Sequence, residues 1–373
     1  MIGEQVPFIF SNCSSIFIFG KDEKYANCLI ETGEDPCYLL KEVHRAKEFR
    51  TYFLAILPII LSVIACLLNI SYLIVQLKCY TQEKTSFKKR QLFLISRSLS
   101  FILANLLFYV VVIVWKVNGF VYTSAMIFIL IAGINFLSVT GTYIGLTILL
   151  YTAIVHQLWY MTRLTLKHCC LIIGLIWLLS TASSVCIGLW GATLFYPESA
   201  PISCSFEKCQ LPLAISIVVG LSICYGTVIG LYIAMMARLH RLVQRSFLVQ
   251  SRSKSNSMTA MKRLGLNMIT FAIGSVPILI VCIVTLVNLQ ELSSLGEGSK
   301  SPCKTFLHSK LFVEVEILAS VAAIVWLIAM IIDPMINVLA DKKMRGLFKK
   351  QIARFSQRIR RPSTKTTVST DVQ

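Results

Sequence analysis

The residues that could carry out catalytic or metal chemistry do not stand in the spacings that such chemistry needs. Acid–base or nucleophilic catalysis uses paired carboxylates or a nucleophile elbow, and a metal site uses closely spaced His and Cys ligands. The sequence contains none of these patterns, and its five histidines are scattered, at positions 44, 156, 168, 240 and 308. The sequence therefore favours neither an enzyme nor a metal centre, and no cofactor is predicted.

Disulfide formation is the chemistry for which the residues are best placed. Of the thirteen cysteines, six lie in polar segments that the charge distribution described below assigns to the outside: Cys13, Cys28, Cys37, Cys204, Cys209 and Cys303. Disulfides persist in that oxidising compartment. The sequence alone does not choose among the pairings that six cysteines allow.

Seven long apolar runs must position all of these residues. The chain has 373 residues, of which 56% are hydrophobic and only 14% charged, a composition typical of membrane proteins. Each run is long enough to cross a hydrocarbon core about 30 Å thick. In chain order the runs, numbered here as spans one to seven, cover 51–77, 92–117, 121–155, 168–194, 211–238, 264–289 and 311–340. The predicted fold is an all-α membrane protein, a seven-transmembrane helix bundle.

The basic residues are unevenly distributed around these spans. If the N-terminus is outside, about two thirds of the Lys and Arg residues fall in the inner loops and the C-terminal tail. The positive-inside rule therefore predicts a multi-pass plasma-membrane protein with an extracellular N-terminus and a cytoplasmic C-terminus. The net charge of +18 indicates contact with anionic lipid of the bilayer and with a cytoplasmic partner rather than with nucleic acid.

The chain divides into four predicted parts. Residues 1–50 form an extracellular segment, 51–340 the seven-transmembrane domain, 341–356 an amphipathic helix and 357–373 a disordered cytoplasmic tail. Within the first part, Asn12-Cys13-Ser14 is an acceptor sequence for glycosylation of Asn12.

The segment 341–356 has the pattern of a helix that lies in the membrane interface. One face carries basic residues, and the other carries Met344, Leu347, Phe348 and Ile352. A strongly polar face opposite an apolar one is typical of interfacial helices. This segment is the predicted eighth helix.

The inner end of span three carries the most recognisable local sequence, Tyr151-Thr-Ala-Ile-Val-His-Gln-Leu-Trp-Tyr160, with Trp177 beyond it. It resembles the end of helix three and the start of helix four in rhodopsin-like (family A) G-protein-coupled receptors. The residues that match in register are Tyr151, Ala153, Ile154, Val155, His156, Leu158 and Tyr160. Leu149 and Leu150 replace the family's Asp-Arg pair. The chain is therefore similar to a divergent member of that family, such as the large invertebrate chemosensory receptor groups contain.

Other spans extend the resemblance. Leu103-Ala-Asn-Leu-Leu107 is similar to the family motif of helix two, with Asn105 replacing its Asp. In span six Phe271 and Pro277 match, while Gly274 and Ser275 replace the family's Cys and Trp. The residues that the resemblance implies for the conformational switch are Tyr151, Tyr225, Phe271, Pro277, Asp333, Pro334 and Asn337.

The resemblance also implies a polar pocket between spans two and seven. In the family an Asp of helix two and an Asn of helix seven share a pocket where sodium often binds. Here Asn105 and Asp333 carry the exchanged pair, and Asn135 and Ser138 are expected to face the same candidate sodium pocket. Arg97, two turns toward the cytoplasm from Asn105, is predicted to extend its side chain to the membrane interface.

The family usually ties helix three to the second outer loop by a disulfide, but Ala125 stands at the helix-three position. Cys204 and Cys209 are therefore expected to pair with each other, with the N-terminal segment or with Cys303. By the same resemblance the partners are an extracellular ligand, a heterotrimeric G protein, and a receptor kinase and arrestin.

The ligand is only broadly defined by the sequence. Candidate pocket residues are Ala132, Gly133, Phe136, Ile278, Leu279, Glu314 and Glu316. Amine receptors carry an Asp where Ala132 stands, so a biogenic amine is not expected, whereas the two glutamates could meet a basic peptide. A peptide and a small chemosensory molecule both remain open.

Two other functions remain as alternatives. One is a seven-helix transporter or channel, although the sequence has neither the internal repeats nor the several buried ionisable groups typical of such proteins. The other is a receptor-like protein without G-protein coupling, which the Leu149-Leu150 replacement suggests.

Overall fold

The computed structural model describes residues 7–29, 34–82, 85–118, 121–201, 205–245, 252–293, 302–340, 344–350 and 353. These residues are predominantly helical, and they include seven helical segments long and apolar enough to cross a membrane. The segments are Pro36–Gln82, Lys88–Val114, Tyr122–Ala153, Leu166–Phe195, Phe206–Arg238, Gly265–Val287 and Ser309–Leu339. The predicted all-α, seven-span fold is confirmed.

The α-helices begin and end as the local sequence directs. They are α1 (Pro36–Phe49), α2 (Leu57–Gln82), α3 (Thr85–Asn118), α4 (Tyr122–Val155), α5 (Gln157–Thr162), α6 (Leu166–Phe195), α7 (Leu211–Arg245), α8 (Arg252–Val287), α9 (Leu289–Leu292), α10 (Pro302–Leu307) and α11 (Ser309–Ala340). Asp35 caps α1, because its side chain accepts a hydrogen bond from the backbone N–H of Cys37 and Pro36 fills the first helical position. Thr165 and His168 form a capping box at the start of α6.

Span three, formed by α4, is the centre of the bundle. Its buried residues Phe136, Val139, Tyr143 and Leu146 recur every three or four positions and therefore form one face of the helix. This helix packs against α3, α6 and α7, and α8 packs along α11. Small residues permit these close approaches, as at Gly188 of α6, where an added Cβ would lie only 3.0 Å from a Leu130 carbon and 3.1 Å from a backbone oxygen.

A folded cap closes the N-terminal face of the bundle. This N-terminal cap consists of residues 7–29, α1 and α10, and its aromatic core includes Phe10, Phe17 and Tyr25, packed with Phe306 of α10. Burial, reinforced by the charge of Asp22, raises the pKa of Tyr25 to about 12. The Tyr25 hydroxyl therefore stays neutral in this core at physiological pH.

Two disulfides close the N-terminal cap. Cys13 is bonded to Cys37, and Cys28 is bonded to Cys303 of α10. Cys209 is also disulfide-bonded, and since these four cysteines pair among themselves, the predicted options that join it to the N-terminal segment or to Cys303 are wrong. Its other predicted partner, Cys204, lies outside the described residues.

The C-terminal face carries α5 and a short helical stretch at residues 344–350. In that stretch Met344 is buried against Tyr72 and Val75 of α2, and Leu347 and Phe348 pack beside it. The apolar side chains of this stretch thus face the bundle. Ile352, most of the remaining helix predicted over 341–356 and the tail 357–373 lie outside the described residues, so the eighth helix remains a prediction.

Candidate functional site

A buried ion pair lies at the centre of the bundle. Nη2 of Arg97, on α3, is 2.6 Å from Oδ2 of Asp333, on α11, and the two side chains are 0% and 4% exposed. The prediction that Arg97 extends to the membrane interface is therefore wrong. An oppositely charged partner lies within reach, and pairing with it avoids an isolated charge in the low-dielectric interior.

Tyr143 of α4 connects this ion pair to two more spans. Its hydroxyl accepts a hydrogen bond from Nη1 of Arg97 at 3.2 Å and lies 3.1 Å from Oδ1 of Asp333 and 3.3 Å from the backbone oxygen of Asn267 on α8. The hydroxyl has one proton to donate, and the charged carboxylate is the stronger and closer acceptor. One hydroxyl therefore joins spans two, three, six and seven.

A second polar layer adjoins the pair on α8 and α11. The side-chain amide of Asn267 donates to Oδ1 of Asn337 at 3.1 Å, and the Asn337 amide donates to the backbone oxygen of Asp333 at 2.7 Å. Together Arg97, Tyr143, Asn267, Asp333 and Asn337 form what we call the polar centre. All five are buried, so each of these hydrogen bonds is formed away from water and is correspondingly strong.

Pro334 shapes α11 beside the polar centre. A proline has no N–H, so it leaves the carbonyl of the residue four positions earlier, Met330, without its helical donor. The side-chain amide of Asn69, on α2, donates to that carbonyl at 3.1 Å. Span one therefore satisfies the backbone group that Pro334 frees, and Asp333 remains available to pair with Arg97.

The four residues predicted to form a sodium pocket do not form one donor set. Asn105 donates to the backbone oxygen of Phe101 and contacts the Met330 sulfur, while Asn135 and Ser138 both bond to Ser100. Asp333, the only acid of the set, already has a guanidinium at 2.6 Å, and a second cation there would be repelled. The four residues therefore do not converge on one cation position, and they do not form the predicted sodium pocket.

An aromatic cluster lies next to the polar centre. Phe136, Phe271 and Trp326 have ring centroids 5.8 to 6.1 Å apart, and Phe271 lies 4.9 Å from the Tyr143 ring. Nε1 of Trp326 donates to Oδ1 of Asn135 at 3.0 Å. The cluster therefore links spans three, six and seven.

Sequence reasoning missed Trp326. Gly274 of α8 makes room for it, because an added Cβ would lie 2.9 Å from Cβ of Ala329 and 3.4 Å from the Trp326 ring. Trp326 precedes Asp333 by seven positions, which is two helical turns, so both lie on the same face of α11. That seven-residue spacing was the signal available in the sequence.

The predicted ligand-pocket residues are dispersed. Phe136 belongs to the aromatic cluster, and Ile278 is half-buried against the same core. Gly133 faces α6, where an added Cβ would meet Ser184 at 2.9 Å, so it serves helix packing rather than a pocket. Leu279 is half-buried and Ala132 is exposed.

The two predicted acidic residues of the ligand site have different surroundings. Glu316 is buried and its Oε1 accepts a hydrogen bond from Nε of Arg50 at 2.8 Å, while the same guanidinium stacks on the Phe312 ring. Its charge is therefore matched from within the protein, contrary to the prediction that a basic ligand meets it. Glu314 is exposed and remains a candidate.

The other predicted switch residues lie along the bundle without one shared contact set. Tyr151 is half-buried, its ring 6.3 Å from that of His156, and Tyr225 of α7 is also half-buried. Pro277 lies inside α8, which continues past it. Their predicted roles therefore remain proposals.

The short helix α5 presents an apolar surface on the C-terminal face. Leu158, Trp159 and Met161 are exposed, with Leu158 82% exposed, whereas Tyr160 between them is buried in the bundle core. Nζ of the buried Lys89 donates to the Tyr160 backbone oxygen at 2.8 Å and lies 4.2 Å from the centre of its ring. Tyr160 and Lys89 thus anchor α5 while its other face remains exposed.

Sequence comparison relates the chain to known proteins along most of its length. Residues 79–337 match the family model described as 7 transmembrane receptor (rhodopsin family). The Caenorhabditis elegans protein B0244.5, provisionally named a G-protein coupled receptor, is 26% identical over 356 residues, which cover 93% of each chain. B0244.6 of the same nematode, provisionally named a G-protein coupled receptor-like protein, is 24% identical over 350 residues, covering 90% of this chain and 87% of the relative.

Proposed function

The chain belongs to the rhodopsin family of seven-transmembrane receptors, and we propose that it converts the binding of an extracellular ligand into G-protein signalling inside the cell. As a multi-pass protein of the plasma membrane, it would have the N-terminal cap outside and α5 inside. The basic inner loops and tail support this orientation, and so do the disulfides of the cap, because they require an oxidising compartment.

The exposed apolar face of α5 is the observation that carries the coupling proposal. Leu158, Trp159 and Met161 project from a loop helix on the predicted cytoplasmic face. Large apolar side chains grouped in this way are typical of protein-binding surfaces. A G protein that covers them would bury apolar area that the receptor alone leaves exposed.

This surface also compensates for the replaced Asp-Arg pair. Leu149 is buried in the bundle core and Leu150 packs against it, so neither supplies a charge to a cytoplasmic partner. In this proposal α5, held by Tyr160 and Lys89, provides the main contact instead. Kinase and arrestin would act on the C-terminal tail, which lies outside the described residues.

The ligand is proposed to be a peptide or a small chemosensory molecule that enters from the N-terminal face. The nematode relatives support a receptor of the invertebrate type. Glu314 is the exposed acid that a basic peptide would meet, whereas the aromatic cluster suits a small apolar molecule that reaches the bundle interior. Asn12, which is exposed in the cap, is the proposed glycosylation site.

Epitope tags test the orientation. A tag at the N-terminus should be stained on intact cells, whereas a tag after Gln373 should be stained only after permeabilisation, because the basic loops hold the C-terminal face inside. The reverse staining pattern would contradict the receptor proposal.

A ligand screen tests the function itself. Cells that express the receptor are exposed to libraries of peptides and of small volatile molecules, with a reporter for each class of G protein. At least one compound should produce a signal that the double variant Leu158→Ala, Met161→Ala loses at equal surface level. Leu171→Ala is the matched control, since Leu171 is a similarly exposed leucine within span four.

The screen also separates the alternatives. A compound that binds without activating any G-protein reporter would indicate a receptor-like protein that does not couple. A compound or ion that crosses the membrane because of the receptor would instead indicate a transporter or channel.

A further inference from the structure

The ion pair at the polar centre does more than neutralise two charges. We propose that Arg97 is a permanent internal cation: its guanidinium occupies the Asp333 carboxylate, fastens span two to span seven, and makes this core independent of any bound metal cation. The proposal concerns the folded receptor and stands whether or not the receptor couples to a G protein.

Burial makes each member of the ion pair depend on the other. Neither side chain has more than 4% of its surface exposed, and both lie within segments that cross the membrane. A charge in such a place needs an opposite charge, and each residue of this pair is the other's counterion. Removing one alone therefore leaves an uncompensated charge, whereas removing both does not.

The contacts around the Asp333 carboxylate are directional. Nη1 of Arg97 donates to the Tyr143 hydroxyl while Nη2 faces Asp333, and Tyr143 lies against the other carboxylate oxygen. Both oxygens of Asp333 are thus engaged from spans two and three. The planar, fixed charge of a guanidinium suits this arrangement and does not depend on the ions of the medium.

The neighbouring polar groups argue against a sodium ion bound beside Asp333. A bound sodium ion would need several oxygens directed at one point beside Asp333. The Asn105 amide is instead directed at Phe101 and Met330, and the Asn135 oxygen accepts from Trp326. Within the described part of the chain, moreover, no group of three or more His, Cys, Asp and Glu residues is arranged to hold a metal ion.

A double-mutant cycle on the purified, full-length receptor in lipid nanodiscs tests the proposal by thermal unfolding. Arg97→Gln and Asp333→Asn should each lower the melting temperature by several degrees. The double variant should melt at a clearly higher temperature than the sum of these two decreases predicts. The double variant Arg97→Leu, Asp333→Leu repeats the test without polar side chains, in case the first double variant folds poorly. Additive shifts in both double variants would show that the ion pair does not fasten span two to span seven.

Asn105 supplies the matched control, because it is a buried polar residue on the same helix that also contacts α11. Arg97→Gln combined with Asn105→Ala should show additive shifts. The shifts of Asp333→Asn and Asn105→Ala could depart from additivity by more than those of Asp333→Asn and Arg97→Gln. That result would favour a shared Asn–Asp pocket instead.

The ion dependence is measured in the same assay. The wild-type receptor should melt at the same temperature in sodium chloride and in potassium chloride of equal concentration, because Arg97 already supplies the cation. A rise in melting temperature that occurs in sodium chloride only, and that Asp333→Asn abolishes, would overturn the internal-cation proposal.

Discussion

The aromatic core of the N-terminal cap and the polar centre are both buried, but the cap is held together by covalent bonds and the centre by charges and hydrogen bonds. In the cap, two disulfides and stacked aromatic rings tie residues far apart in the chain, such as Cys28 and Cys303. In the centre, Arg97, Tyr143 and Asp333 join four spans without any covalent link. A covalent closure keeps one arrangement, whereas polar contacts can exchange partners without breaking bonds. A rearrangement of the bundle would therefore need only the contacts of the polar centre to change, whereas a rearrangement of the cap is limited by its disulfides.

Loss of one charge at the centre should have the largest effect. Asp333→Ala leaves the guanidinium of Arg97 buried without its counterion, which typically costs about 3–5 kcal/mol of folding free energy. The amount of folded receptor at the cell surface should fall strongly, as measured by flow cytometry of an N-terminal tag. Normal surface expression would show that the centre tolerates an unpaired charge and that the ion pair does not hold the bundle together.

Loss of the long-range disulfide in the cap should rank second. Cys28→Ser removes the bond to Cys303, and loss of a native disulfide typically costs about 2–5 kcal/mol. The melting temperature and the surface level should fall, while the double variant Cys28→Ser, Cys303→Ser should be no worse than the single one. Cys170→Ser, at a free and exposed cysteine, is the control that should change neither quantity.

Removal of one hydroxyl from the centre should have a moderate effect. Tyr143→Phe keeps the ring and the ion pair but deletes the hydrogen bonds to Arg97 and Asp333, which are worth about 1.5–3 kcal/mol as bonds to charged groups. Thermal unfolding should show a smaller shift than Asp333→Ala produces. A shift of equal size would mean that Tyr143, rather than the ion pair, holds the four spans together.

Release of α5 should have the smallest effect on stability but a visible one on coupling. Lys89→Ala removes the contact to Tyr160, so α5 should lose its fixed position while the bundle remains folded. Signalling to an active compound from the ligand screen should weaken without a change in that compound's binding. Lys88→Ala, beside it but over the Tyr80 ring, should leave signalling unchanged, and equal losses in both variants would refute the anchoring role.

The fold was largely predictable because membrane-spanning helices can be recognised from the length and composition of their sequence segments. A segment without charges such as Ser124–Val155 has few alternatives to a membrane-spanning helix. The six cysteines predicted to lie outside were evident from the sequence, but their pairing was not. Cys28 and Cys303 are 275 positions apart, and the packing of α10 against the rest of the cap brings them together.

The candidate site was predictable only in part. The sequence identified Asp333 as the centre, but the family resemblance predicted Asn105 as its partner, whereas the structure pairs it with Arg97. Arg97 in span two and Asp333 in span seven carry opposite charges within apolar stretches of those spans, and that observation favours their pairing. The role of Trp326 depended on space left by Gly274, which sequence spacing does not reveal.

Exchange of the two charges tests whether the Arg97–Asp333 pair fastens the bundle. The double variant Arg97→Asp, Asp333→Arg reverses the ion pair, and surface expression is compared with that of each single variant. Because either single exchange places two like charges together in the interior, both should be nearly absent from the surface. If the pair fastens the bundle, the double exchange recovers a clear fraction of the wild-type level; if it is no better than the poorer single variant, the account of the polar centre is wrong.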